Sequence, residues 1–279
     1  MGTRRATDIA REIAVIRLCL AGATGWAGSA LARAVAATPD IRLVAAVSRT
    51  HAGRSLGDVL AEPRLDAPVF GTAAEALDRP ADVFLDYTKP TVALPNVMTA
   101  LERGLHVVVG TSGLTDDDYR RIHAAAVAAG REVLAVGNFA IPVVLLQRFA
   151  ETAARYLPSW EIIDYASERK VDAPSGTARE LAHRLSSVRP PATGVPLEAT
   201  MGERAARGAD LGGSRVHSIR LPGFSLSTEV VFGMPGQRLA LRHDAGPSAE
   251  PYVDGALLAI RAVGSVVGLR RGLDQVMDF

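Results

Sequence analysis

Lys170 is one of only two lysines in a chain whose 31 basic residues are otherwise arginine. It stands directly before Val171-Asp172-Ala173-Pro174-Ser175-Gly176-Thr177, and apolar residues at helical spacing follow from Ala178 to Leu185. The Pro-Ser-Gly-Thr turn therefore reads as a helix start with Ser175 at the N-cap. An ammonium set before the amide-rich end of a helix makes a receptor for an anion. Backbone N–H groups, the Ser175 and Thr177 hydroxyls and the helix dipole would all direct positive charge at one spot. A plain helix cap beside a solvated lysine uses the same residue types, so the rest of the chain has to discriminate.

A second group capable of chemistry lies near the start. The apolar run Ile16–Leu20 feeds into Gly22-Ala23-Thr24-Gly25-Trp26-Ala27-Gly28, and Ser29 to Ala37 continues at helical spacing until Thr38-Pro39. Strand, glycine turn and helix in that order let a backbone approach a pyrophosphate, which then rests on the helix N-terminus. The spacing is G-x-x-G-x-x-G, which a tight turn also satisfies; its place at the first βα junction of an alternating pattern favours a nucleotide. The next strand, Leu43 to Val47, ends in Ser48 and Arg49. An acidic side chain there would hold the ribose 2′-OH of NAD. A hydroxyl and a guanidinium suit a 2′-phosphate instead, so NADPH is the expected cofactor and NADH the alternative.

The elements that must position these groups alternate through the first half. Strands are expected at Val83–Asp86, His106–Val109 and Glu132–Val136, and helices at Val92–Arg103 and Asp116–Ala129. That alternation predicts an α/β, Rossmann-type, doubly wound parallel sheet that binds ligands at the carboxyl ends of its strands. Lys89, Gly110, Thr111, Ser112, Val136, Gly137, Asn138 and Phe139 fall at such ends. The second half has another texture. A helix at Ile141–Tyr156 and a strand at Trp160–Tyr165 precede the lysine stretch. Residues 186–213 show little periodicity and read as a long loop. Arg215–Leu221, Ser225–Phe232 and Arg238–Arg242 then alternate like hairpin strands, and Pro251–Val267 reads as a last helix. This predicts a second α+β domain containing a mainly antiparallel sheet, whose open face is an expected oligomer surface. The expected boundaries are 1–139 for the dinucleotide-binding domain, 140–250 for a substrate-binding and oligomerisation domain, and 251–279 for a helix and tail returning to the first domain.

Composition narrows the classes. With 48% apolar and 22% charged residues the 279-residue chain is globular rather than disordered. A formal net charge of +1 gives no reason to expect nucleic acid or an acidic membrane as partner. A single cysteine, Cys19, excludes an internal disulfide framework and predicts a reducing, cytoplasmic setting. No apolar run reaches the length of a membrane span, and the polar first dozen residues read as a frayed leader. His217 and His243 lie in alternating segments where structural histidines are the rule, and no cluster of metal ligands is visible.

In sequence order, Gly22–Gly28, Asp86-Tyr-Thr-Lys-Pro90, Gly110-Thr-Ser-Gly113, Asn138-Phe139, Lys170-Val-Asp-Ala-Pro-Ser-Gly-Thr177 and Gly272-Leu-Asp-Gln-Val-Met-Asp278 resemble the motifs of dihydrodipicolinate reductases. These are the 4-hydroxy-tetrahydrodipicolinate reductases of diaminopimelate and lysine synthesis. The resemblance covers essentially the whole chain after the leader, and the ungapped block from Lys170 to Thr177 is its most specific part. It implies that Gly22 to Ala27 hold the pyrophosphate, that Ser48 and Arg49 face the adenosine ribose, and that Lys89 approaches the 2′-phosphate. It also implies that Gly110 to Ser112 and Val136 to Phe139 line the nicotinamide. Ser167, Lys170, Ser175, Gly176 and Thr177 would bind a small dicarboxylate substrate, Lys170 would be anchor and proton donor, and the protein would be a homotetramer. One departure stands out. Members of the family carry a His-His pair where this chain has Ala166 and Ser167. The proton donor is thus left among Lys170, Ser167 and a bound water, with Glu168 and Arg169 as neighbours. Two rival functions follow: reduction of another cyclic imine or enamine acid, and cofactor binding without catalysis.

Overall fold

A computed structural model describes residues 15–279, so the leader reading lies outside the described residues. Two units are distinguished, one of residues to 135 with 257–270, the other of residues 136–256 with 271–279.

In the first unit the alternating pattern becomes β1 (Ile16–Ala21), α1 (Trp26–Val35), β2 (Ile41–Val47), α2 (Leu56–Leu60), β3 (Val69–Phe70), α3 (Ala73–Ala76), β4 (Val83–Asp86), α4 (Pro90–Glu102), β5 (His106–Val109), α5 (Asp116–Ala129) and β6 (Glu132–Ala135). Strands β3-β2-β1-β4-β5-β6 lie side by side in that order, each neighbouring pair parallel. The order reverses between β1 and β4, the switch point at which open α/β sheets bind ligands. Apolar side chains on the strands, such as Cys19, Phe84 and Val107, pack against Val97, Leu101 and Ile122 of the helices. Helix α5 begins with a reciprocal cap between Thr115 and Asp118 and ends at Gly130 in the left-handed conformation. The short α2, β3 and α3 were not expected, because two to five residues carry too little periodicity to register.

In the second unit α6 (Ile141–Ala154), β7 (Ser159–Ala166), α7 (Gly176–Val188), β8 (Ala209–Leu211), β9 (Ser214–Arg220), β10 (Leu226–Met234) and β11 (Gln237–Ala245) follow. The sheet order is β11-β10-β7-β9-β8. Strand β7 is antiparallel to β10 but parallel to β9, while β10–β11 and β8–β9 are antiparallel, so the sheet is mixed with an antiparallel majority. Trp160, Ile162, Val216, Val230 and Phe232 on one face pack against Leu146, Ala150, Leu181 and Leu185 of the two helices. The opposite face is half-exposed and borders a cavity of about 1000 Å³ lined by Ile163, His217, Ile219 and Val231 and by the segment 191–201. The stretch read as a long loop holds β8 and two single-turn 3₁₀ segments, Leu197–Ala199 and Arg204–Arg207.

The end of the chain divides. After α8 (Val253–Ala262), residues as far as Arg270 belong to the first unit, and β12 (Gly268–Arg271) lies beside β6 at the sheet edge. Glu132 anchors this return. Its fully buried carboxylate accepts from the N–H groups of Gly264 (2.7 Å) and Val266 (3.1 Å) and from Arg270 Nε (2.6 Å). Residues 271–279, expected in the first domain, belong instead to the second unit. The reason is local: Leu273 is buried, and Asp274 pairs with Arg184 of α7 at 3.2 Å. Among the described residues no helix is long and apolar enough to cross a membrane. Removing the Glu132 carboxylate strands the Arg270 charge and two N–H groups, so Glu132→Ala should cost about 3–5 kcal/mol of stability, measured by urea unfolding.

Candidate active site

The carboxyl end of the first sheet carries the glycine loop. Gly22 has φ +79, and a Cβ there would run into the Tyr87 carbonyl; one at Gly28 would strike the Gly22 carbonyl. Both positions require glycine, so the loop stays free of side chains where a phosphate would approach a backbone. The Gly25 N–H closes the turn on the Gly22 carbonyl at 2.9 Å, and α1 starts directly after. Ala23 is fully buried, so what it can offer a ligand is main chain. Thr24 Oγ1 lies 2.8 Å from Ser48 Oγ, tying this loop to the end of β2, and Ser48 Oγ lies 3.4 Å from Thr50 Oγ1. Trp26, Arg49 and Lys89 are exposed and Ala27 is half-buried.

Asp86 organises the next two loops and was not among the expected site residues. Its fully buried carboxylate, at the end of β4, accepts from Thr88 Oγ1 (2.7 Å), Thr88 N–H (3.0 Å), Asn96 Nδ2 (2.8 Å) and Thr111 Oγ1 (2.6 Å). Thr111 spends its hydroxyl here, which leaves Gly110–Ser112 to act through backbone and Ser112. Beyond β6, Asn138 Oδ1 accepts the Ala140 N–H at 2.9 Å, while Val136 and Phe139 are buried and Gly137 is exposed.

The lysine stretch, the candidate cup, lies between β7 and α7 in the second unit. Helix α7 begins at Gly176, and Ser175 Oγ accepts the Ala178 N–H as its cap. Ser175 is only 2% exposed. Its hydroxyl shapes the helix start from within. Gly176 is exposed and Thr177 half-buried, and their N–H groups occupy the first turn, where no intrahelical acceptor exists. Lys170 Nζ, one-third exposed, pairs with Asp172 Oδ1 at 2.7 Å, and Arg179 lies 3.6 Å from the other oxygen. The hydrogen bond from Lys170 holds the Asp172 carboxyl below its ordinary value. Ala166 ends β7 fully buried on the helix-facing side, while Ser167 is half-buried and Glu168 and Arg169 are exposed. His217 pairs with Glu161 at 2.7 Å on the other face of the sheet.

Under the cup lies a pair that sequence reasoning missed. Asp164 Oδ2, fully buried, accepts from the Ser175 N–H (2.8 Å), Arg220 Nη2 (2.7 Å) and Ser218 Oγ (3.3 Å). The signal was present as a charged residue on the buried parity of β7, between Ile162 and Ala166.

The comparisons with known proteins meet this geometry at both units. The model of the dihydrodipicolinate reductase N-terminus matches residues 16–139, and that of the C-terminus matches residues 142–277. The chain belongs to the dihydrodipicolinate reductase family. Among relatives, the 4-hydroxy-tetrahydrodipicolinate reductase of Halalkalibacterium halodurans is 36% identical over 265 residues, spanning 95% of this chain and all of the relative. That of Moorella thermoacetica is 37% identical over 272 residues, spanning 96% and 100%. A dipicolinate-bound dihydrodipicolinate reductase from Paenisporosarcina sp. TG-14 superimposes with a TM-score of 0.83 at 31% identity, covering 94% of this chain and all of the other. The family is one of pyridine-nucleotide-dependent reductases, and the Rossmann-type sheet with its second mixed sheet is the reductase fold expected from the sequence.

Burial pushes the Asp164 carboxyl up, but hydrogen bonds from Arg220 and Ser175 more than reverse this and leave it below its ordinary value. A depressed folded value means that Asp164 stabilises the fold fully above about pH 3.9 and loses that contribution as pH falls through the folded value. The stability difference between wild type and Asp164→Asn should therefore shrink on acidification below about pH 3.9, followed by urea unfolding across pH.

Proposed function

We propose that this reductase converts 4-hydroxy-tetrahydrodipicolinate to tetrahydrodipicolinate in diaminopimelate and lysine synthesis, with NADPH preferred to NADH. The observation that carries the reading is that Lys170 and the first-turn amides of Gly176 and Thr177 bracket one short loop, Lys170 being paired with Asp172 of that loop. A cation and preorganised N–H donors are what a dicarboxylate requires, and a protein that only bound a cofactor would have no use for them.

The glycine loop fits a pyrophosphate because the positions of Gly22 and Gly28 exclude side chains. Gly22 to Ala27 would hold it through main chain. Ser48 and Arg49 would take the adenosine ribose with its 2′-phosphate, with Lys89 as a further cation. Gly110 to Ser112 and Val136 to Phe139 would line the nicotinamide side. When bound, the reduced nicotinamide supplies a hydride. Substrate reduction then requires one proton and releases the hydroxyl as water. Lys170 moves from Asp172 to the substrate, where its charge stabilises the negative charge that develops as the hydride arrives. The buried methyl of Ala166 can transfer no proton, and in this reading the same Nζ supplies it ahead of Ser167 or a bound water. Ser167 borders the cup as a hydrogen-bonding neighbour. The protein acts as a cytoplasmic homotetramer assembled through the open face of the second sheet.

Ala166 favours one second reading, the same chemistry on another cyclic imine or enamine acid that needs less help with the proton. The deciding assay is NADPH oxidation with substrate made fresh by the preceding synthase; no turnover, with NADPH still bound, would remove the first reading. Lys170→Ala should lower kcat by about 10²-fold or more, the scale of losing one electrostatic donor, in the same assay. Arg49→Ala should weaken NADPH binding much more than NADH binding by fluorescence titration, and equal effects would contradict the cofactor preference.

A further inference from the structure

Lys170 and the Gly176–Thr177 amides stand at opposite ends of a loop, residues 171–175, that has no regular structure of its own. Something must hold both ends. Arg220, the last residue of β9, donates from Nη2 to Asp164 Oδ2 at 2.7 Å and to the Asp172 carbonyl at 2.8 Å. Its Nη1 donates to the carbonyls of Asp164 (3.1 Å) and Ile219 (3.0 Å). Asp164 in turn accepts the Ser175 N–H at 2.8 Å, and the Ser175 side chain caps α7. One buried ion pair thereby grips the loop twice. Through Asp172, whose side chain carries Lys170, it sets the cation; through Ser175, it sets the first-turn amides.

Stability alone does not account for the pair. Asp164 is fully buried and the Arg220 side chain is 16% exposed, so both bear a desolvation cost. Asp164 Oδ1 and Arg220 Nε are buried without a hydrogen-bond partner among the described residues. Apolar residues of similar size often serve stability at least as well as such a pair. Its directional bonds instead go to the two backbone groups that orient the cup.

We propose that Asp164 and Arg220 are positioning residues for binding the substrate dicarboxylate: they fix the separation of the Lys170 ammonium from the Gly176 and Thr177 amides. The proposal rests on the cup reading above. Neither residue touches the reacting atoms, so their loss loosens dicarboxylate binding and raises KM more than it lowers kcat.

The test uses the full-length protein and pyridine-2,6-dicarboxylate as probe, its Kd measured by calorimetry in the presence of NADPH. Asp164→Asn keeps the shape but removes the charge that Arg220 faces. Arg220→Lys keeps charge but loses the planar fork that reaches Asp164 and Asp172 together, and it stands as the second variant should Asp164→Asn not fold. The expected result is a Kd raised at least tenfold in either variant, NADPH binding within twofold of wild type, and a larger change in KM than in kcat. A merely structural pair would lower the unfolding temperature and leave the probe's Kd within twofold, which overturns the proposal. Lys170→Met separates the two claims. If it leaves the probe's Kd unchanged, the cup reading fails, and the proposal with it. If it weakens the probe while the folded Asp164 and Arg220 variants do not, the positioning role alone is wrong.

Discussion

A carboxylate buried beneath a helix start is the constraint on which the candidate substrate site depends. Asp164 cannot keep its charge on the helix-facing side of β7 without donors, and the Ser175 N–H, Ser218 hydroxyl and Arg220 guanidinium supply them. Those bonds hold the loop between Lys170 and Ser175 against the sheet, which fixes where α7 begins. The first-turn amides are thus held in place, together with Asp172, to which Lys170 is paired. Asp172 neutralises Lys170, so the ammonium is held near its working place.

The first unit solves a similar problem in a similar way. Asp86, buried at the end of β4, gathers Thr88, Asn96 and Thr111. It thereby shapes two loops flanking the point where the strand order reverses. Glu132, at the opening residue of β6, pins the returning chain from Gly264 to Arg270. In each place a buried acidic side chain makes three or more hydrogen bonds and ties together segments distant in sequence. The glycine loop needs no such anchor, because the close approach of Gly22 to the Tyr87 carbonyl and of Gly28 to the Gly22 carbonyl defines it sterically.

Much of this was legible in the chain itself, and for physical reasons. Glycines ahead of a helical run, strands separated by helices and the Ser175 cap are local patterns, and they appear where expected. Tertiary partners left weaker traces. Asp164 shows only as a charged residue at a buried position in β7, and its partner Arg220 lies 56 residues away. Asp86 reads as part of a motif, yet its role depends on Thr111 from the next loop. The Thr111 hydroxyl is directed inward by Asp86, and the Ser175 hydroxyl by its role as the cap of α7. The tail after Arg270 follows the Asp274–Arg184 pair to the second unit, a contact that no periodicity encodes.

The family assignment leaves one chemical question particular to this chain, since Ala166 has no transferable proton. The most direct measurement is a single turnover of freshly generated 4-hydroxy-tetrahydrodipicolinate with NADPH deuterated at the transferring C4 position, followed by mass spectrometry of the product. Tetrahydrodipicolinate carrying one deuterium, formed in step with cofactor oxidation, is the predicted result. Cofactor left unoxidised in the presence of bound substrate, or a product without deuterium, would contradict the account.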